Sequence, residues 1–184
     1  MVLRDRDGES VLEDDQMALP QAMFDRPAAR GIHRTQDIAT SAETVFSLMC
    51  EVEKWPVWLS FFRSARRVDP REPLQLGSEV AIRSAIPGED EELFEVDGYI
   101  DGHLLSLVGA YSCRRRIDLR VERKTERSKV AVRLHYPTYG GVVGELVDRF
   151  MRRRKLDVAL GDSLVHFKGL AEFERNPEAL LADL

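Results

Sequence analysis

The residues of this chain that could do acid–base work are few and scattered. Its four histidines are His33, His103, His135 and His166, and no two of them share a metal-ligand spacing. No serine and carboxylate join any of them in an arguable nucleophilic set. His33 begins a candidate strand and His103 follows a turn signal, so both are expected at the surface. His135, Glu95 and Asp97 have the parity of a wet strand face beside Arg133 and Arg120, where cross-strand ion pairing is the simple reading. His166 neighbours Phe167 at the rim of an apolar helical stripe. The two cysteines, Cys50 and Cys113, lie far apart and read as reduced thiols of a cytoplasmic protein. No metal and no cofactor is expected.

What remains is a small number of polar groups on apolar faces. Tyr136 and Ser84 have inward strand parity. A buried tyrosine hydroxyl needs a partner, either a ligand carbonyl or phenol, or a backbone carbonyl or water. Arg153 and Asp157 fall four apart beside the helical stripe. They can pair with each other, or one of them can project inward and fix an anionic or enol group. Gly161 sits mid-helix, where it costs roughly 1 kcal/mol relative to alanine, and marks a bend or a close approach of ligand to backbone. These groups suit positioning a ligand better than transferring a proton, which needs an acid or base within reach of the reacting atom.

The elements that must hold them follow from periodicity. With 184 residues, 43% of them hydrophobic, the chain can bury a real core. A net charge of -5 argues against nucleic acid as partner. No run reaches the ~20 apolar residues of a membrane span, and the charged start, Met1 to Ser10, is unlike a secretory signal. Residues 1–31 are expected to be an arm. Its small apolar set (Met17, Leu19, Met23, Phe24) can pack onto the domain or onto a second copy, giving a homodimer, or fray.

From Ile32 the order is strand, two short helices, about six strands, long helix. Ser41 caps a helix from Ala42 to about Val52, Pro56 interrupts it, and Trp55 to Phe62 reads as a second short helix. Strands are expected over Ser64–Val68, Ser78–Ile86, Leu93–Ile100, Leu104–Tyr111, Arg115–Lys124 and Lys129–Tyr136, with turns at Pro87-Gly88 and Asp101-Gly102. The last helix, Gly140 to Phe173, carries a stripe through Leu156, Leu160, Leu164 and Phe167 and would reach roughly 45 Å. Short connections favour an antiparallel meander, and the domain is α+β. Its bounds are 32–176, with a tail at 177–184. The basic runs Arg114-Arg115-Arg116 and Arg152 to Lys155 read as solvated faces.

Three stretches give this order a family likeness: Ser41-Ala42-Glu43-Thr44-Val45-Phe46, Glu53-Lys54-Trp55-Pro56-Val57-Trp58, and Gly140-Gly141 followed by Leu146, Asp148 and Arg152-Arg153-Arg154. Over residues 32 to 175 the chain resembles the START-like helix-grip (SRPBCC) superfamily, most of all its bacterial polyketide cyclase/dehydrase branch. The resemblance implies a curved antiparallel sheet of six to seven strands wrapped around the terminal helix, with a cavity between them. It says little about reaction, since members bind lipids, polyketides, quinones, hormones or proteins and only some catalyse anything.

On that frame the expected lining is a set. The strands supply Ile82, Ser84, Phe94, Val96, Leu119, Val132, Leu134 and Tyr136. The last helix supplies Arg153, Leu160, Leu164 and Phe167. Trp55, Trp58 and Phe62 either wall the pocket or plug the helix–sheet junction. The expected function is binding of a small hydrophobic ligand, aromatic, polyketide-like or lipid. The alternatives are a cyclase, aromatase or dehydratase that positions a flexible substrate, and an interaction protein without a cavity. These residues do not decide between binder and enzyme.

Overall fold

The computed structural model describes residues 31–85, 90–111, 115–125, 127–135 and 153–175. The elements follow the order read from the sequence: β1 (Gly31–Ile38), α1 (Ala42–Cys50), a 3-10 turn (Val52–Lys54), α2 (Trp55–Trp58), β2 (Phe62–Arg67), β3 (Glu79–Ser84), β4 (Glu91–Ile100), β5 (Leu104–Gly109), β6 (Arg116–Arg123), β7 (Ser128–His135) and α3 (Arg153–Arg175). The seven strands form one curved antiparallel sheet in the order β1-β7-β6-β5-β4-β3-β2. The sheet wraps α3, and the fold is the helix-grip α+β architecture.

Local chemistry accounts for the boundaries. Ser41 is extended at the N-cap of α1, and its hydroxyl accepts from the Thr44 amide at 3.2 Å. Ser41→Ala should therefore cost about 1 kcal/mol in urea unfolding, whereas Ser47→Ala, on the exposed side of the same helix, should change stability little. The second helix is shorter than the spacing suggests. It is a single turn ending at Trp58, and the chain enters β2 by Phe62. The described part of α3 runs 23 residues, about 35 Å, and the helix start expected at Gly140 lies outside the described residues.

Antiparallel pairing gives the domain two unlike ends. β1 and β2 begin, and β3, β5 and β7 finish, at what we call the upper end, where α3 also starts. The lower end is clamped. There Ala39 N donates to Glu172 Oε1 at 2.9 Å, Thr40 Oγ1 donates to the Ala171 carbonyl at 3.1 Å, and Lys54 pairs with Glu174 at 3.6 Å. Nearer the upper end, Arg34 Nε and a terminal nitrogen of its guanidinium grip the two oxygens of Asp157 at 2.8 and 2.5 Å. The expected Arg153–Asp157 pair is thus replaced: Asp157 takes the edge strand as its partner, and Arg153 is exposed on the first described turn of α3.

One strand departs from simple alternation. A bulge between Val96 and Gly98 inserts a residue into β4. Phe94 and Val96 face the core, as period two requires, but beyond the bulge Tyr99 turns inward while Gly98 and Ile100 turn out. Tyr99 then meets Phe46 edge-on, ring centroids 5.7 Å apart.

Candidate functional site

The inward faces meet as one apolar cluster. Val96, Leu119 and Val132 from the sheet, Leu160, Leu164 and Phe167 from α3, and Trp55 and Trp58 from α2 are all buried within it. At zero to one per cent exposure they touch almost no solvent-sized space, so the middle of the interior is filled. The expected apolar lining residues are brought together, the central ones as packed core, whereas Arg153 is exposed.

Exposure rises toward the upper end. Along β7 it is zero at Val132 and 8% at Leu134; along β6 it is zero at Leu119 and 4% at Ile117. Along β3 it climbs from zero at Val80 to 3% at Ile82, and Ser84 beyond is half-buried. On α3 the buried stripe Ala171, Phe167, Leu164, Leu160 gives way to a half-buried Leu156. Phe61 and Phe62 stand half-buried at the same end, rings 4.7 Å apart, and Phe62 stacks on Trp55 at 6.1 Å. Phe94, 4% exposed, lies against Val80. Tyr136, Ile86 and Cys113 lie outside the described residues.

The two tryptophans differ in how their polar atoms are met. Trp55 Nε1 donates to the Met49 carbonyl at 2.8 Å. Trp58 Nε1 is buried and has no hydrogen-bond partner among the described residues. Its ring lies 4.4 Å from that of Phe167, tilted by 45°. An unpaired buried donor costs about 1–3 kcal/mol. Ser163, also buried, has its hydroxyl engaged by the Ser60 amide at 3.4 Å.

The ionisable groups lie elsewhere. On the outer face of the sheet Arg116 binds three partners: Nε to Asp118 Oδ1 at 2.7 Å, and its terminal nitrogens to Asp97 Oδ2 at 2.5 Å and Ser106 Oγ at 2.7 Å. Ser106 in turn donates to Asp118 Oδ1 at 2.5 Å, and His135 Nε2 sits 3.6 Å from Asp118 Oδ2. Burial alone would raise the Asp118 pKa, but hydrogen bonds from His135 and Ser106 and the Arg116 guanidinium overcome it, and the pKa is lowered. Asp97 does form a cross-strand ion pair, but with Arg116 rather than Arg120 or Arg133. Sequence reasoning missed this cluster, because Asp118 and Ser106 become neighbours only through the β5–β6 register. Cys50 is also inert toward nucleophilic chemistry: burial pushes its thiol up to about 11 despite a Tyr99 hydrogen bond. His33, His103 and His166 are exposed. Among the described residues no group of three His, Cys, Asp or Glu could hold a metal.

A groove of about 720 Å³ opens at the lower end between the start of α1, the β6–β7 turn and the end of α3. Arg123 and Glu43 of its lining pair with each other, and Lys124 of the lining pairs with Asp37 at 2.9 Å.

Comparison with known proteins agrees with the geometry. Among curated proteins no sequence matches. Among solved structures, the Thermus thermophilus protein TTHA0849 superposes with a TM-score of 0.63 at 14% identity, covering 77% of this chain and 97% of that one. The Zhui aromatase/cyclase from Streptomyces sp. R1128 gives 0.59 at 12% identity, covering 80% and 96%. A polyketide-cyclase-like protein from Corynebacterium glutamicum gives 0.56 at 16% identity, covering 83% and 98%. At these identities the likeness is one of fold. A family model described as polyketide cyclase / dehydrase and lipid transport matches residues 30–172, and the chain belongs to that family.

Proposed function

We propose that this chain binds a small hydrophobic ligand, aromatic, polyketide-like or lipid, inserted from the upper end between the sheet and α3. The observation that carries this reading is the rise in exposure toward that end along β3, β6, β7 and α3, while the opposite end is clamped by side-chain bonds. Filling the interior further would require the aromatic cluster of Trp58, Phe62 and Phe167 to give way. The surroundings are apolar, which favours a greasy ligand over a charged one.

A second reading, a cyclase, aromatase or dehydratase acting by substrate positioning, is favoured by Ser84, the hydroxyl that β3 carries to the upper end. In that reading Tyr136 and Arg153 would be further polar anchors. The proposal includes a cytoplasmic location, a homodimer through residues 1–31 and no nucleic-acid partner. Two arginines of the first basic run are committed to carboxylates, Arg115 to Glu92 at 2.8 Å and Arg116 to Asp97 and Asp118. Among the described residues no helix is long and apolar enough to cross a membrane.

A thermal-shift screen with flavonoids, quinones and fatty acids tests the binding reading. A probe at a hundred times its Kd should raise Tm by roughly 5–10 °C. If no probe of any of the three classes shifts Tm, ligand binding is rejected and an interaction protein becomes the better account.

A further inference from the structure

We propose that Trp58 sets the specificity of this site, its indole N–H donating to a neutral acceptor oxygen on the ligand. The inference rests on the binding reading above and adds what the ligand must carry. Trp58 closes α2, and after Leu59 and Ser60 the half-buried pair Phe61 and Phe62 leads into β2 at the upper end. Its side chain is 1% exposed, and its Nε1 has no partner among the described residues. Trp55, three residues earlier, buries as deeply but spends its N–H on the Met49 carbonyl. The two indoles thus share a helix turn and divide the tasks: one anchors α2 to the end of α1, the other holds a donor in reserve.

The surroundings say which acceptor fits. Phe167 covers the Trp58 ring at 4.4 Å and offers only a weak π acceptor. The described hydrophobic cluster that holds Trp58 includes Trp55, Leu59, Leu164 and Phe167. A carboxylate brought among these side chains would pay a desolvation cost that a neutral carbonyl does not. A ketone or ring carbonyl needs only a donor. Phenylalanine would fill the same space without the cost of an unpaired N–H. The site should therefore prefer planar rings bearing a carbonyl over hydrocarbons of the same shape and over carboxylates.

Fluorenone and fluorene test this, since they share one tricyclic frame and differ by a single carbonyl. Binding is measured by titration, with the two indole N–H signals of the chain followed by NMR. Fluorenone should bind roughly tenfold more tightly than fluorene. It should move one indole signal, the one missing from Trp58→Phe, and fluorene should move it less. Fluorene-9-carboxylate should bind more weakly than fluorene. In Trp58→Phe the two uncharged probes should bind alike. Should Trp58→Phe fail to fold, the wild-type spectra and affinities decide alone, with Trp55→Phe identifying the signals. Equal binding of fluorenone and fluorene to the wild type overturns the inference and leaves the binding reading standing. A fluorenone preference that survives Trp58→Phe, or comes with unmoved indole signals, shows that another group or a buried water meets the carbonyl, and also overturns it. If neither uncharged probe binds, the inference is overturned, and the thermal-shift screen decides separately whether the binding reading falls.

Discussion

Arg116→Met should lower unfolding stability by about 3–5 kcal/mol, seen as a fall in the urea midpoint at unchanged slope. The side chain lies on the solvent side of the sheet by strand parity, yet only 19% of it is exposed, and its partner Asp118 is at 9%. Removing the guanidinium leaves Asp118 with its charge buried and Ser106 with a lost donor. The expected loss is therefore larger than for an exposed pair such as Arg66–Glu91, whose Arg66→Ala should cost under about 1 kcal/mol. Replacing both charges, Arg116→Met with Asp118→Leu, should recover part of the loss, because the most buried carboxylate is gone and only the more exposed Asp97 is left without its cation. A double variant as unstable as the single one would show that the network holds the strands in register rather than neutralising a charge.

The same network fixes a pH dependence. The Asp118 pKa is lowered in the folded state. The unfolded chain then binds the proton more readily, so stability rises with pH through this window. Asp118's contribution is fully present above the ordinary aspartate value, near 4, and is lost as pH falls through the depressed folded value. The wild type should lose stability steeply on acidification below about pH 4, and Asp118→Asn should flatten that limb in acid-unfolding curves.

How much of this was legible in the sequence differs by element. Strands with one dry face, such as β7 with Val130, Val132 and Leu134, announce themselves by period two, and each of these residues lies in the core. The Ser41 cap was legible for the same local reason. Alternation fails where a residue is inserted, and nothing around Val96 to Gly98 marks the bulge that turns Tyr99 inward. Long-range pairs were also hidden. Arg34 and Asp157 are 123 residues apart, so helical spacing offered Arg153 as the nearer partner. The facing of Ile82, Phe94 and Leu134 followed from parity, but how tightly the middle is filled depends on how the strands and α3 approach each other, which spacing along one chain does not encode. For Trp55 and Trp58 the composition gave two equal residues, and only the register of α2 against α1 and α3 separates a paired N–H from an unpaired one.

Phe167→Ala should be the most damaging substitution in α3, costing about 3–5 kcal/mol. Phe167 is fully buried, faces Trp58 at 4.4 Å and belongs to the cluster that joins α2, α3 and the sheet. Truncation removes the transfer energy of the ring and leaves a hollow that its neighbours fill only in part. Val165 is the internal control: it is 60% exposed on the same helix, and Val165→Ala should change stability by less than about 0.5 kcal/mol. The two substitutions also bear differently on ligand binding. If the apolar ligand competes with Phe167 for the space beside Trp58, Phe167→Ala lowers the work of opening that space. The variant should then bind fluorene more tightly than the wild type does, although it unfolds more easily, and added fluorene should restore part of the lost Tm. Urea unfolding and thermal shift on the two variants read both effects. A Phe167→Ala protein that is destabilised as expected but gains no affinity for fluorene would place the ligand away from the α2–α3 junction, among the half-buried groups of the upper end alone.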